Sequence, residues 1–284
     1  MDFYKYQVLG NDYIVINPSE FKRRLTPARI RLVCNRNFGL GACGILYGPI
    51  FEKGKIKLRI FNSDGSEAEK SGNGIRIFAK YLYDAKIISP ATLDFKLETL
   101  SGEVAVKILN NDATLIAVDM GTVTFQSEKI PVKGKKREVI NEPLKINDKE
   151  YKITCLSIGN PHCIIPLNKI SKELLLEIGP KIEHHQLFPN RVNVQLLKVI
   201  DRKNIRIEIW ERGVGYTLAS GSSSCAAVGA ANRLGLVDKK VKVFMPGGAM
   251  TVEIKENNHF FLIGPVSKIA SGNFANEFWT GLKD

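Results

Sequence analysis

Three segments of the chain recur at one spacing. Leu9-Gly10-Asn11-Asp12-Tyr13-Ile14-Val15-Ile16 resembles Ile158-Gly159-Asn160-Pro161-His162-Cys163-Ile164-Ile165, with Asn11 and Asn160 set 149 residues apart. Leu58-Arg59-Ile60-Phe61-Asn62 meets Ile207-Glu208-Ile209-Trp210-Glu211 at the same offset of 149. Ser71-Gly72-Asn73-Gly74 meets Ser220-Gly221-Ser222-Ser223 at 149 once more. Three separate matches in one register predict a duplicated fold of two homologous halves. A chain of 284 residues gives each half the size of an ordinary domain.

The repeated unit reads as α+β. Residues 6–16 read as a strand interrupted by a Gly-Asn turn, and 55–61 alternate as a strand before an Asn-Ser-Asp-Gly turn. Residues 74–83, GIRIFAKYLY, carry apolar residues at helical spacing just after a Gly-rich bend. The second half answers with a strand over 204–210 and a helix over 223–234, and short strands fill 95–120 and 241–263. The expected architecture is two pseudo-symmetric halves, each a curved sheet partly wrapped around a central helix. The N-terminal half covers 1–125 and the C-terminal half 126–284, with the chain ends free to cross between them. A hinge is expected in the polar, Lys-rich stretch 120–150.

Composition narrows the function classes. Hydrophobic residues at 44% and charged residues at 25% are the profile of a soluble globular protein. No stretch approaches the roughly 18 to 20 continuous apolar residues of a membrane span. The first residues, Met1-Asp2-Phe3-Tyr4-Lys5, run into strand-like sequence without a signal-peptide pattern. Five cysteines, an odd number with no CxxC pair, argue against a disulfide scaffold or a zinc site and for a reduced, cytoplasmic chain. The net charge of +12 is spread along the sequence, and its densest run, Lys133 to Arg137, reads as an exposed turn. No basic helix or recognition motif accompanies it, so neither nucleic acid nor a membrane is the expected partner. A Lys-rich surface, or the steering of an anionic metabolite, accounts for the charge. A homodimer is compatible with these features.

The repeat also marks a site. Each half places Ser-Gly-polar-small at the start of its helix, where the first amides lack internal partners and carry partial positive charge. Glycines there let a ligand approach the backbone closely. Two such starts facing each other would cradle a carboxylate. They would also put the oxygens of Ser71 and Ser220 on opposite sides of it. That arrangement suits taking a proton from one face of a carbon and returning one to the other. Taken singly, either serine reads as an ordinary N-cap. Their repetition, with Asn62 and Glu211 each nine residues upstream, favours a shared site.

Several longer runs resemble the diaminopimelate epimerases over nearly the whole chain. They are LGNDYIVI around Asn11, FNSDGSEAEKSGNGIR, GNPHCII, FPNRVNV, WERGVGYTLASGSSSCAA and the PGG at Pro246 to Gly248, in that family's order. The resemblance implies the diaminopimelate-epimerase-like fold, a small-molecule amino-acid substrate, no cofactor and no metal. It also implies inversion of one stereocentre of a diamino diacid, LL to meso, in lysine and cell-wall biosynthesis. Family members use two cysteines, a thiolate base and a thiol acid, which fall on Ser71 and Ser220. Asn62, Asn193 and Arg212 match the residues holding the distal amino-acid end, and Asn11 and Asn160 match further contacts there. Gly72, Asn73, Gly221 and Ser222 match the amide-rich loops around the reacting carboxylate. His162 and Glu211 match the pair near the α-amino group and the acid/base residues. By itself His162 reads as a packed polar residue, and Arg212 as a surface ion-pair partner.

The departures from that pattern bear on the chemistry. A serine hydroxyl is far less acidic than a thiol, whose pKa is about 8.5 and falls further at a helix start. A helix dipole worth up to about 2 kcal/mol does not close that gap. Leu218 and Ser223 also depart, and Cys43 stands where an aspartate is expected, either as a small buried residue or as a displaced thiol near the site. Cys225, one turn into the second helix, reads as core. Three functions therefore stay open. They are an epimerase, a related racemase or lyase with another substrate, and a catalytically silent amino-acid-binding homologue.

Overall fold

Leu9 and Gly10 both take positive φ, 51° and 86°, the backbone of a tight hairpin turn. The turn joins β1 (Phe3–Val8) to an antiparallel β2 (Asn11–Ile16), so Asn11 opens the second strand and is not part of the bend. In the computed structural model, which describes residues 1–280, the chain then crosses through α1 (Pro27–Cys34). Thr26 caps that helix and Pro27 supplies a preset φ at its start. β3 (Gly44–Glu52) returns parallel to β2, and β4 (Lys55–Asn62) folds back antiparallel, followed by the short β5 (Glu67–Ala68). After α2 (Gly72–Asp84) come β6 (Asp94–Thr99), parallel to β4, and the antiparallel β7 (Gly102–Ile108) and β8 (Leu115–Asp119).

The same order then repeats. β9 (Glu142–Ile146) pairs with β10 (Lys149–Ser157), which is antiparallel to β11 (Pro161–Pro166). α3 (Lys172–Glu183) crosses to β12 (Asn193–Asp201), parallel to β11. β13 (Asn204–Glu211) is antiparallel to β12 and carries the short β14 (Gly215–Thr217). α4 (Gly221–Arg233) leads to β15 (Lys240–Met245), parallel to β13, then to the antiparallel β16 (Gly248–Ile254) and β17 (Phe260–Pro265). The parallel and antiparallel pairings match strand for strand between the two halves, which confirms the duplication expected from the 149-residue offset. The final strand, β18 (Ser267–Gly272), pairs with β1.

Met1–Val118 and residues 264–280 form one compact unit, and Asp119–Ile263 forms the other. The 120–150 stretch is not a loose hinge. Its Ile130, Val132, Val139, Leu144 and Ile146 are buried in the core of the second unit, beside Tyr151, Leu175 and Leu196. The Lys residues that make the stretch look like a linker alternate with these apolar side chains.

Each unit is built around a helix buried on nearly every side, the mark of a central helix. α2 buries Ile75, Ile77, Phe78, Ala79, Tyr81 and Leu82. α4 buries a smaller-grained run from Cys225 to Ala231, so Cys225 is core as expected. A Cβ on Gly229 would come within 3.1 Å of Leu156. Small residues thus let the strands approach α4 closely. None of the helices among the described residues is long and apolar enough to cross a membrane.

Candidate active site

Both serines cap the helices that the repeat assigned to them. Ser71 precedes α2 in extended backbone (φ −142°, ψ 112°), and its Oγ accepts the Gly74 amide at 3.1 Å. Ser220 precedes α4 in nearly the same conformation (φ −144°, ψ 127°), with the Ser223 amide at 3.5 Å. The capping explains why these residues start helices. It leaves the amides of Gly72, Asn73, Gly221 and Ser222 at the two helix starts.

The surrounding side chains are duplicated too. Asn73 Nδ2 donates to Asn11 Oδ1 at 3.1 Å, and Asn160 Nδ2 donates to Ser222 Oγ at 3.4 Å. The two bonds join the same pair of positions in the two halves with donor and acceptor exchanged, since Asn11 and Asn160, and Asn73 and Ser222, are offset mates. Each ties the first residue region of a strand to the first turn of the buried helix. Arg76 Nη2 donates to Asn73 Oδ1 at 2.7 Å and so fixes the orientation of that amide.

The partners of the two serines differ. The Tyr13 hydroxyl lies 3.3 Å from Ser71 Oγ. Desolvation raises the Glu211 pKa, and the neighbouring Ser220 hydroxyl partly restores it. The offset mate of Glu211 is Asn62, an exposed residue whose Nδ2 donates to Ser66 Oγ at 2.9 Å. A carboxylate thus stands in one half where an amide stands in the other.

The Arg212 turn is strongly built. Asn193, buried, donates to the Pro161 carbonyl at 2.7 Å and accepts the Arg212 amide at 2.9 Å. Arg212 Nη1 donates to the Asn190 carbonyl at 3.2 Å, and the rest of its guanidinium is exposed. Glu183, buried at the end of α3, accepts Trp210 Nε1 at 2.7 Å and the Gly213 amide at 2.8 Å. It therefore pins the turn that carries Glu211 and Arg212. Sequence reading missed Glu183 because nothing local distinguishes it from other helical glutamates.

His162 is fully buried between two amides. Its Nδ1 lies 3.1 Å from Gln195 Oε1 and its Nε2 lies 3.0 Å from Asn160 Oδ1. Gln195 in turn donates to Ser223 Oγ at 3.0 Å. The ring therefore links β12 to the start of α4. Burial pushes its pKa down to about 4, against the Gln195 hydrogen bond and with the aid of the Arg212 charge. In the unfolded chain the same imidazole titrates near ~6.5. Between those values the unfolded chain binds the extra proton, so this group makes folding stability fall as the pH drops. Denaturant titrations from pH 7 to pH 4 should show the parent losing about 3 kcal/mol more than His162→Gln. Parallel pH slopes for the two would show that the ring is not held neutral.

Cys43 is on the wrong side to serve as a displaced thiol. Successive strand residues point to opposite faces. Tyr13 points toward Ser71, so Asp12 points away, on the face where Ile14 and Ile16 pack against Ile30 and Val33 of α1. The Cys43 thiol donates to Asp12 Oδ1 at 3.3 Å, in a cluster with Arg36 and Lys5. Desolvation raises the Cys43 pKa, and the acceptor carboxylate keeps the proton on sulfur. Although desolvation opposes it, hydrogen bonds from Arg36, Cys43 and Lys5 hold Asp12 below the ordinary carboxylate range. Among the described residues no group of three His, Cys, Asp or Glu side chains is arranged to hold a metal ion.

Comparison with known proteins agrees with the duplicated architecture. The family model for diaminopimelate epimerase matches residues 3–126 and 154–269. Diaminopimelate epimerase 2 of Nostoc sp. is 50% identical over 280 residues, covering 98% of this chain and 97% of that protein. The diaminopimelate epimerase of Moorella thermoacetica is 36% identical over 278 residues, covering 96% and 99%. Among solved structures, a probable proline racemase from Agrobacterium radiobacter matches with a TM-score of 0.68 at 12% identity, over 99% of this chain and 94% of that one. A phenazine biosynthesis protein of the PhzF family from Bacillus anthracis matches at 0.66 and 15%, over 94% and 96%. At these identities the two structures speak for the fold alone.

Proposed function

Because the chain belongs to the diaminopimelate epimerase family, we propose that it is an isomerase converting LL- to meso-diaminopimelate. It works without a cofactor, in lysine and cell-wall biosynthesis, by removing a proton from Cα and returning one to the opposite face. The observation that carries this reading is the duplicated helix start, with a serine cap, free amides and an Asn-to-helix bond in each half. Inversion needs the same equipment twice, once for each face of the carbon. None of the five cysteines is in a disulfide, which fits a reducing compartment such as the cytoplasm.

In this reading the amides of Gly72, Asn73, Gly221 and Ser222 bind the α-carboxylate. Asn11 and Asn160, each tied to one helix start, add polar contacts to the substrate. Arg212, Asn62 and Asn193 take the distal amino-acid end, where a planar guanidinium suits a second carboxylate. His162 sets the Asn160 amide. Ser71 and Ser220 are the acid/base residues.

A serine hydroxyl alone is too weak a base for this step, and Glu211 supplies what it lacks. As Ser220 Oγ takes the proton from Cα, its own hydroxyl proton passes to the Glu211 carboxylate. Desolvation makes that carboxylate a stronger base than an exposed glutamate. The test is incubation with LL- and meso-diaminopimelate in D₂O. Inversion with one deuterium gained at Cα is the expected result, with alanine left unchanged because it has no distal end for Arg212. Tight binding of diaminopimelate with neither exchange nor inversion would leave a binding protein in place of an enzyme. Release of a leaving group from a β-substituted analogue, without inversion, would make it a lyase.

A further inference from the structure

The two serines share a fold position, but they do not share a hydrogen-bonding state. A hydroxyl has one hydrogen to give and two lone pairs to receive. Ser220 Oγ receives the Ser223 amide at the longer distance of 3.5 Å, and the Glu211 carboxylate near it can only accept. An oxygen lone pair of Ser220 is then available to a substrate, which is the state of a base. At Ser71 one lone pair already receives the Gly74 amide at 3.1 Å. The Tyr13 hydroxyl lies 3.3 Å from the same oxygen. Of the two hydroxyls the phenol, with a pKa of about 10, is the more acidic and the better donor. With Tyr13 donating, both lone pairs of Ser71 are engaged and its hydrogen points elsewhere, which is the state of an acid.

The fold makes room for this contact. Tyr13 and Gly44 are register partners on the parallel strands β2 and β3. A Cβ at Gly44 would come within 2.8 Å of Tyr13 Cε1. The bare glycine therefore lets the ring lie toward Ser71. Tyr13 is also the offset mate of His162, whose ring goes instead to Gln195 and Asn160. The duplicated position carries a phenol on the serine in one half and a buried imidazole that braces an amide in the other.

We propose that Tyr13 is the positioning residue of Ser71, donating to its oxygen and replenishing the proton that Ser71 gives up as an acid. The assignment rests on the epimerase reading above. The proton balance closes without any co-reactant. Ser220 Oγ takes the Cα proton as its hydroxyl proton moves to Glu211. The carbanion takes the Ser71 proton, and Ser71 takes the Tyr13 proton. Water then protonates the tyrosinate and removes the proton from Glu211. The reverse reaction runs through the same transition state with every transfer reversed.

The test compares the parent with Tyr13→Phe and with a protein carrying 3-fluorotyrosine at position 13, on both epimers in D₂O across pH 7 to 11. Tyr13→Phe should lower kcat for inversion by about 10- to 100-fold with KM within about two-fold. The epimer whose proton faces Ser220 should still exchange, so its ratio of exchange to inversion should rise at least about ten-fold. The parent should lose activity at alkaline pH as Tyr13 ionises. That limb should vanish in Tyr13→Phe and move to lower pH with fluorotyrosine, whose phenol is more acidic. Unchanged inversion in Tyr13→Phe, or an unmoved alkaline limb with fluorotyrosine, overturns the proposal and leaves Tyr13 as packing. Loss of exchange and inversion together, with a raised KM, does the same. A parent that binds diaminopimelate but neither exchanges nor inverts it overturns the epimerase reading, and this assignment with it.

Discussion

Glu211→Gln should lower the rate of diaminopimelate inversion by roughly 10²- to 10⁴-fold, the usual contribution of a positioned general base. The amide keeps the size and polarity of the carboxylate and can still bond to Ser220. What it loses is the ability to receive the Ser220 proton. Binding of diaminopimelate should stay within a few-fold, because Arg212 and the helix-start amides are untouched. The pH dependence has a definite sign. Desolvation raises the Glu211 pKa, so the parent should lose its base at a higher pH than an exposed glutamate would allow as the solution is acidified. Stability should move the other way from activity. A carboxyl group with a folded pKa above its unfolded value favours folding at low pH and opposes it once the pH rises through that folded pKa. At neutral pH Glu211→Gln removes that opposition and should raise the midpoint of urea unfolding. A variant both less active and less stable would point to a structural role. Single-turnover inversion rates together with urea melts decide between the two.

The repeat carried most of what could be read from sequence. It located both serine caps, both buried helices and the equivalence of Asn62 and Glu211, because offset mates constrain one another across 149 residues. The predicted helices at 74–83 and 223–234 became Gly72–Asp84 and Gly221–Arg233, lengthened at their N-termini to where the serines cap them. What stayed hidden depends on non-local contacts. β18 pairs with β1 from the opposite end of the chain, and its exposed SKIASG sequence has no apolar alternation to announce a strand. The 120–150 stretch looked like a hinge because Lys residues dominate its composition. Ile130, Val132 and Val139 pack inward singly from irregular backbone, and the alternation of Leu144 and Ile146 is confined to the short β9. At the site, Tyr13 read as one more aromatic in an apolar strand. Its hydroxyl contact with Ser71 depends on Gly44 in a neighbouring strand. The offset could have exposed it, since Tyr13 and His162 occupy one repeated position and both are polar-tipped rings. Of the two readings left open for Cys43, its bond to Asp12, on the face of β2 away from Tyr13, favours the structural one.

Ser71→Cys combined with Ser220→Cys should raise inversion by on the order of 10²-fold or more over the parent. A thiol at a helix start ionises near neutrality, which a hydroxyl there does not, so the pair can hold one thiolate and one thiol at working pH. Both caps sit in the same extended backbone conformation. The sulfur therefore takes the same cap position at the two sites, and the helices keep their starts. Each single variant should gain less, because inversion needs a base on one face and an acid on the other. Ser220→Cys alone should favour exchange without inversion, with its thiolate removing protons that the Ser71 side returns slowly. The double variant also makes a sharper demand on the relay. Once thiols carry the protons, neither a phenol behind residue 71 nor a carboxylate behind residue 220 is required. Tyr13→Phe and Glu211→Gln should then cost much less in the double variant than in the parent, and the difference is the coupling energy of each relay. Optical inversion and deuterium uptake, followed for the parent, the two singles, the double and the double with each relay substitution, give every corner of those cycles. Equal losses in both backgrounds would mean that Tyr13 and Glu211 act on the substrate and not through the serines. A double variant that binds diaminopimelate without any gain would mean that residues 71 and 220 no longer reach one carbon, and the serines would then be helix caps and nothing more.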